Sequence, residues 1–138
     1  MFSIGALSKR TGVKVPTIRY YEDMGLMPAA ERTAGNQRRY THAGLDRLGF
    51  IKHARDLGFR IEAIKDLIAL HNHPDHSCQA ANAIASAQLD DVRAKIARLQ
   101  RLEHELSRIA TQCTGNGKIE NCYVLTALSD HNLCETAH

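Results

Sequence analysis

Cys113 and Cys122 bracket the stretch CTGNGKIENC, placing two thiols on either side of a short loop with two glycines and two asparagines. Three readings fit such a pair: a disulfide, a clamp on a metal ion, or no chemistry at all, since cysteine often serves as a small buried hydrophobe. Cys78 and Cys134 add two further thiols, and His71, His73, His76, His131 and His138 add imidazoles. Thiolate and imidazole both bind zinc, and thiolate also binds softer ions. The N-terminus MFSIGALSKR carries no basic leader ahead of an apolar core, so no secretory signal is read. No apolar run approaches the roughly 18–20 residues of a membrane span. A cytoplasmic protein without a membrane partner is expected, and in that compartment thiols stay reduced. This moves weight from the disulfide to the metal.

The element that positions these thiols is long. From Cys78 to Gln112 there is no glycine or proline, and apolar residues fall at Leu89, Val92, Ile96, Leu99, Leu102, Leu106 and Ile109. Val92, Leu99, Leu106 and Cys113 form one seven-residue column, while Glu103 interrupts the neighbouring one. A lone helix cannot bury that stripe, so a coiled-coil homodimer is expected. Such a helix is about 50 Å long at 1.5 Å per residue. Cys78 opens it and Cys113 closes it, so the two cannot meet within one chain. In an antiparallel pair the start of one helix lies beside the end of the other. Cys78 of one subunit then reaches Cys113 and Cys122 of its partner, at two equivalent sites.

Charge separates the two halves. Residues 1–55 hold ten basic and four acidic residues, a net of +6, and the remainder holds eight and eleven, a net of −3. A basic N-terminal half suits a polyphosphate partner. Within it, Ser3 reads as a helix N-cap, Gly12 as a stop, and Val15-Pro16 as a restart. Two short helices around a tight turn form a helix-turn-helix pattern. Gly35-Asn36 marks a hairpin beside Arg38, Arg39 and Tyr40. Leu45, Leu48, Ile51 and Ala54 continue as a helix that Gly58 stops, and Ile61, Ile64, Leu67 and Ile68 form another ending near His71. The breaker NHPDHS follows. The expected fold is mainly α. Residues 1–72 form a winged helix-turn-helix DNA-binding domain with connecting helices. Residues 73–112 form a linker and dimerisation helix, and residues 113–138 a metal-binding loop, short helix and tail.

These residues resemble the MerR family of transcriptional regulators over essentially the whole chain. The resemblance is carried by Ile4-Gly5 with Leu7, the run from Thr17 to Glu22, Gly25-Leu26, Arg32, Gly35-Asn36, Arg38 and Tyr40. It continues through Leu48, Phe50-Ile51, Leu57-Gly58 and Ile61. Cys78, Cys113 and Cys122 look like the three thiols of the branch that senses mercury, zinc, cadmium and lead. The resemblance implies an antiparallel coiled-coil dimer on double-stranded promoter DNA whose −35 and −10 elements are too far apart. On metal binding, the DNA is bent and untwisted so that RNA polymerase can use both elements and transcribe metal-resistance or efflux genes. That is indirect readout coupled to a ligand.

Roles follow residue by residue. Thr17, Arg19 and Tyr20 are expected at the groove and phosphates, bordered by Arg10 and Lys14. Arg38, Arg39 and Tyr40 belong to the wing, with Tyr40 expected partly in the core, and Arg55 reaches from the next helix. Cys78, Cys113 and Cys122 are the expected metal ligands, with His76, His131 and Cys134 as candidates for completing the site. His71, His73 and His138 rank below them, and His42, His53 and His104 read as surface or packing residues. A divalent ion is expected, with zinc ahead of cadmium, lead and mercury because imidazoles lie nearby. In the copper(I) branch the position matching Cys78 is usually serine, and the dinuclear zinc sensors carry a second cysteine that is absent beside Cys113. A redox sensor of the family would cluster four cysteines. A zinc-dependent structural dimer that senses nothing is the alternative from another class. No nucleophile or acid–base pair points to an enzyme.

Overall fold

The Ser3 hydroxyl accepts a hydrogen bond from the Ala6 N–H at 3.1 Å and starts α1 (Ile4–Thr11). Gly12 ends the helix at φ 77°, a left-handed conformation that glycine adopts without a Cβ penalty. Lys14 precedes α2 (Val15–Asp23), with Pro16 in the first turn, where its missing N–H leaves no bond unmade. Only Gly12, Val13 and Lys14 separate the helices, and α1 packs on α2 as a helix-turn-helix. The structure is a computed structural model and describes residues 1–135. His138 lies outside the described residues.

The wing is a two-stranded antiparallel hairpin, β1 (Glu31–Arg32) against β2 (Arg38–Arg39), with Glu31 opposite Arg39 and Arg32 opposite Arg38. Asn36 turns it at φ 60°. Phe2 and Tyr40 exchange backbone hydrogen bonds at 2.8 and 2.7 Å, which fastens the chain start to the base of the wing. Thr41 caps α3 (His42–Asp56) by accepting from the Gly44 N–H. Gly58, at φ 87°, turns the chain toward α4 (Ile61–His71). Leu7, Ile18, Leu48, Ile51 and Ile64 are fully buried, so α1, α2, α3 and α4 all contribute to one core.

The chain divides into two compact units, Met1–Ala85 and Ser86–His138. The expected uninterrupted helix is present as α5 (Gln79–Gln112), 34 residues long. Its apolar stripe is open in the single chain: Leu89, Ile96, Leu99 and Leu106 are 47%, 49%, 62% and 63% exposed. In the second unit a loop and a single 3₁₀ turn (Ile119–Asn121) lead to α6 (Tyr123–Ser129), and a second turn (His131–Leu133) leads into the tail. Ile109 and Ala127 are buried there, together with the charged Glu105. No helix among the described residues is long and apolar enough to cross a membrane.

Candidate metal centre and nucleic-acid interface

Cys113 follows the last residue of α5, and Cys122 is the N-cap of α6. Between them Gly115 sits at φ 78°, so the reversal uses a conformation that side-chain-bearing residues adopt with strain. The loop closes around a concavity of about 190 Å³ that both thiols line. The two sulfur atoms are 4.0 Å apart, and the four cysteines form no disulfide among the described residues. Two thiolates bound to one ion at about 2.3 Å are roughly 3.8–4.0 Å apart at tetrahedral or trigonal angles. The pair therefore fits a single ion with little movement. The backbone N–H of Leu125, followed by that of Val124 and the Cys113 thiol, holds the Cys122 thiol below its ordinary range, although burial opposes them. A helix N-terminus favours a thiolate for the same reason.

Cys78 lies exposed immediately before α5. It lines a concavity of about 320 Å³ together with His71, His73 and His76. The His73 and His76 rings stack with centroids 4.7 Å apart, and His71 stacks on Phe50 at 5.7 Å. Among the described residues of one chain, no three His, Cys, Asp or Glu side chains gather at metal-binding distance. The chain by itself thus brings together Cys113 and Cys122, and it does not bring His131 or Cys134 to them. His131 opens the last 3₁₀ turn, and the half-buried Cys134 follows it.

The tail does fold back, but onto a polar knot instead of the thiols. Glu105 accepts from the Glu135 N–H at 2.7 Å and from Arg108 at 3.0 Å. Arg108 also donates to the Tyr123 hydroxyl at 2.5 Å and to the Leu133 carbonyl at 2.7 Å. Sequence reasoning missed this knot. Glu105 and Arg108 stand three apart on a helix and read locally as a solvated ion pair.

On the first unit a concavity of about 570 Å³ is lined by Arg19, Arg32, Arg38 and Arg39 with Ser3, Ile4 and Gln37. Of the expected DNA contacts, Arg10, Lys14, Arg19, Tyr20 and Arg55 are exposed and Thr17, Arg38 and Arg39 are half-buried. Arg10 lies over the Phe2 ring at 5.0 Å. Arg39 donates to the Gln37 side chain at 3.0 Å, and Arg55 donates to the Phe59 carbonyl at 2.9 Å. Arg32, opposite Arg38 in the hairpin, joins the basic surface without having been singled out for it.

Tyr40, expected among the DNA contacts and partly in the core, is 2% exposed, so its side chain is a core member. Its hydroxyl donates to Glu22 Oε2 at 2.6 Å, while the Ala30 N–H donates to Glu22 Oε1 at 3.1 Å. Burial raises the Glu22 pKa, but the Tyr40 hydroxyl, the Ala30 N–H, Arg38 and Arg32 outweigh it and hold the carboxyl below its ordinary value. Burial first, and then Glu22, pushes Tyr40 up to about 12. The contact braces the recognition helix α2 against the base of the wing.

Comparison with known proteins is consistent along the chain. The MerR HTH family regulatory protein profile matches residues 2–70, and the profile described as MerR, DNA binding matches residues 45–109. The HTH-type transcriptional regulator ZntR of Escherichia coli (strain K12) is 41% identical over 130 residues, covering 93% of this chain and 92% of that protein. The mercuric resistance operon regulatory protein of Bacillus cereus is 35% identical over 127 residues, covering 92% and 96%. The structure of the transcription regulator PbrR691 from Ralstonia metallidurans CH34 in complex with lead(II) superposes with a TM-score of 0.78 at 34% identity, covering 93% of this chain and 99% of that one. These relatives are regulators of transcription, not enzymes. With the two family profiles together matching residues 2–109 and relatives at 35–41% identity covering 92–93% of its length, the chain belongs to the MerR family.

Proposed function

We propose that this protein is a metal-responsive transcriptional regulator that binds promoter DNA as a two-fold dimer. Its effector is a divalent thiophilic ion, zinc ahead of cadmium, lead and mercury, held by Cys113 and Cys122 of one subunit and Cys78 of the partner. The observation that carries this reading is the pair of sulfur atoms 4.0 Å apart at the end of a helix whose apolar stripe is open. Two thiols at that spacing supply half of a tetrahedral site or two-thirds of a trigonal one. An antiparallel partner supplies the next thiol, because Cys78 precedes α5 just as Cys113 follows it.

The first unit carries the DNA-reading surface. Arg19 and Tyr20 on α2 face the groove, and Arg32, Arg38 and Arg39 hold phosphates at the wing. Bridging the ends of the dimer changes how the two DNA-reading units are held. The bound promoter is then distorted toward the form that RNA polymerase uses. The cytoplasm is the compartment in which these thiols stay reduced.

The test is transcription from the cognate promoter across zinc, cadmium, lead, mercury and copper(I) salts, with the parent and a Cys113→Ser variant. Induction by a divalent ion in the parent, lost in Cys113→Ser, is the expected result. Equal transcription with and without every ion would favour a zinc-dependent structural dimer that senses nothing, and induction by copper(I) alone would move the protein to the monovalent branch.

A further inference from the structure

Every residue from Thr114 to Asn121 is exposed, so the loop between the two thiols has little packing of its own. Contacts outside the loop therefore bear on its 4.0 Å sulfur spacing. Arg108 makes one that spans it. This residue stands on α5 ahead of Cys113, and its Nη1 donates to the hydroxyl of Tyr123, the residue that directly follows Cys122. The guanidinium lies 5.8 Å from the centroid of the same tyrosine ring. One contact therefore joins the chain five residues before one thiol to the chain directly after the other.

The guanidinium is itself held. Glu105, the charged side chain buried among the described residues, takes Arg108 Nη2 at 3.0 Å and Nε at 3.4 Å. A buried carboxylate must be paired and hydrogen-bonded, and Glu105 also accepts from the Glu135 N–H. Arg108 Nη2 also reaches the Leu133 carbonyl, and the Glu135 carboxylate accepts from His104 at 2.9 Å. Four of the five N–H groups of the guanidinium donate to described residues, and a planar fork loses little freedom per bond formed.

We infer that Arg108 is a positioning residue for the two-thiol site: through Tyr123 it holds Cys122 at the spacing from Cys113 that one ion requires. This rests on the reading that those two thiols bind the ion. Groups that orient ligands commonly change metal affinity about 10–100-fold when removed, and pre-organised donors avoid an ordering cost on binding.

The experiment titrates the reduced full-length chain with cobalt(II) against a competing chelator, following the thiolate-to-cobalt charge-transfer absorption. The variants are Tyr123→Phe, which removes one oxygen atom, Arg108→Met, Arg108→Lys and the control Cys113→Ser. Tyr123→Phe and Arg108→Met should bind cobalt about 10–100-fold more weakly with a shifted charge-transfer band, at parental helix content and parental mass in sedimentation. Arg108→Lys should recover part of the loss, because a point charge replaces the fork. Parental affinity and an unchanged band in Tyr123→Phe would overturn the role of Arg108. So would an affinity loss in Arg108→Met that merely tracks lost helix content while Tyr123→Phe binds like the parent. A parent with no thiolate band, or a Cys113→Ser variant that keeps it, would instead overturn the metal site itself and this inference with it.

Discussion

Glu22 does its work without touching a ligand. Its carboxylate accepts from Tyr40 and from the Ala30 N–H, so it joins the end of the recognition helix to the wing on which Arg38 and Arg39 sit. Tyr40→Phe leaves the ring in the core and removes the donor, and a hydrogen bond to a charged group is worth about 1.5–3 kcal/mol. The variant should therefore unfold at lower denaturant than the parent near neutral pH. Because the folded Glu22 carboxyl titrates below its ordinary value of 4.5, its ionised form is what the native state favours. That contribution is fully present above pH 4.5 and is lost as pH falls through the depressed folded value. The gap between parent and variant should close over the same interval, and a gap that persists unchanged into acid would mean that Tyr40 stabilises by packing alone. Arg19 belongs to the same scale. It is exposed on α2 and lines the basic concavity, so Arg19→Ala should weaken specific operator binding by about 1–3 kcal/mol and relax preference at one base pair. A salt-controlled titration with operator and random DNA checks this, and equal loss on both would reassign Arg19 to phosphate.

At the scale of elements, α5 is the part with an unmet requirement. Leu99 and Leu106 stand on the seven-residue column and are 62% and 63% exposed in the single chain. Leu99→Asp would bury an unpaired charge at an antiparallel seam, costing several kcal/mol. Sedimentation should show a dimer for the parent and a monomer for this variant, and a stable dimer of the variant would mean that the seam runs elsewhere. The stripe, the cap at Ser3, and the glycine stops at Gly12 and Gly58 were legible in the sequence because each is a local pattern with a local cause. The thiol pair was legible for a similar reason: two cysteines flanking a glycine-containing loop return close to each other once the loop turns at Gly115. Tyr40 was legible only in part, and the role of Arg108 not at all. Tyr40 sits among arginines in the sequence, but its partner Glu22 lies eighteen residues away, and only the packing of wing on helix decides that its ring turns inward. Arg108 finds Tyr123 and Leu133 fifteen and twenty-five residues on. No periodicity marks such partners, and an arginine three residues after a glutamate looks the same whether the pair is solvated or buried.

At the scale of the whole molecule, the proposed site is divided between copies of the chain. An α5 of 34 residues extends about 50 Å, with Cys78 before its first residue and Cys113 after its last. Replacing Cys78 alone or Cys113 alone with serine should abolish metal-dependent transcription while leaving operator affinity nearly unchanged, since neither residue belongs to the basic surface of the first unit. Mixing the two single variants makes a sharper comparison. In an antiparallel dimer, a heterodimer of Cys78→Ser with Cys113→Ser collects both defects at one end and leaves the other end with a complete set of thiols. It should bind about half as much metal as the parent, because a two-fold dimer has two ends. If each site were built within one chain, both sites of the heterodimer would be broken and no capacity would return. Purified heterodimer, carrying a different affinity tag on each subunit, gives the stoichiometry directly by metal analysis. A value near half of the parent supports ligands drawn from both subunits, and a value no higher than that of either homodimeric variant would sink the cross-subunit site.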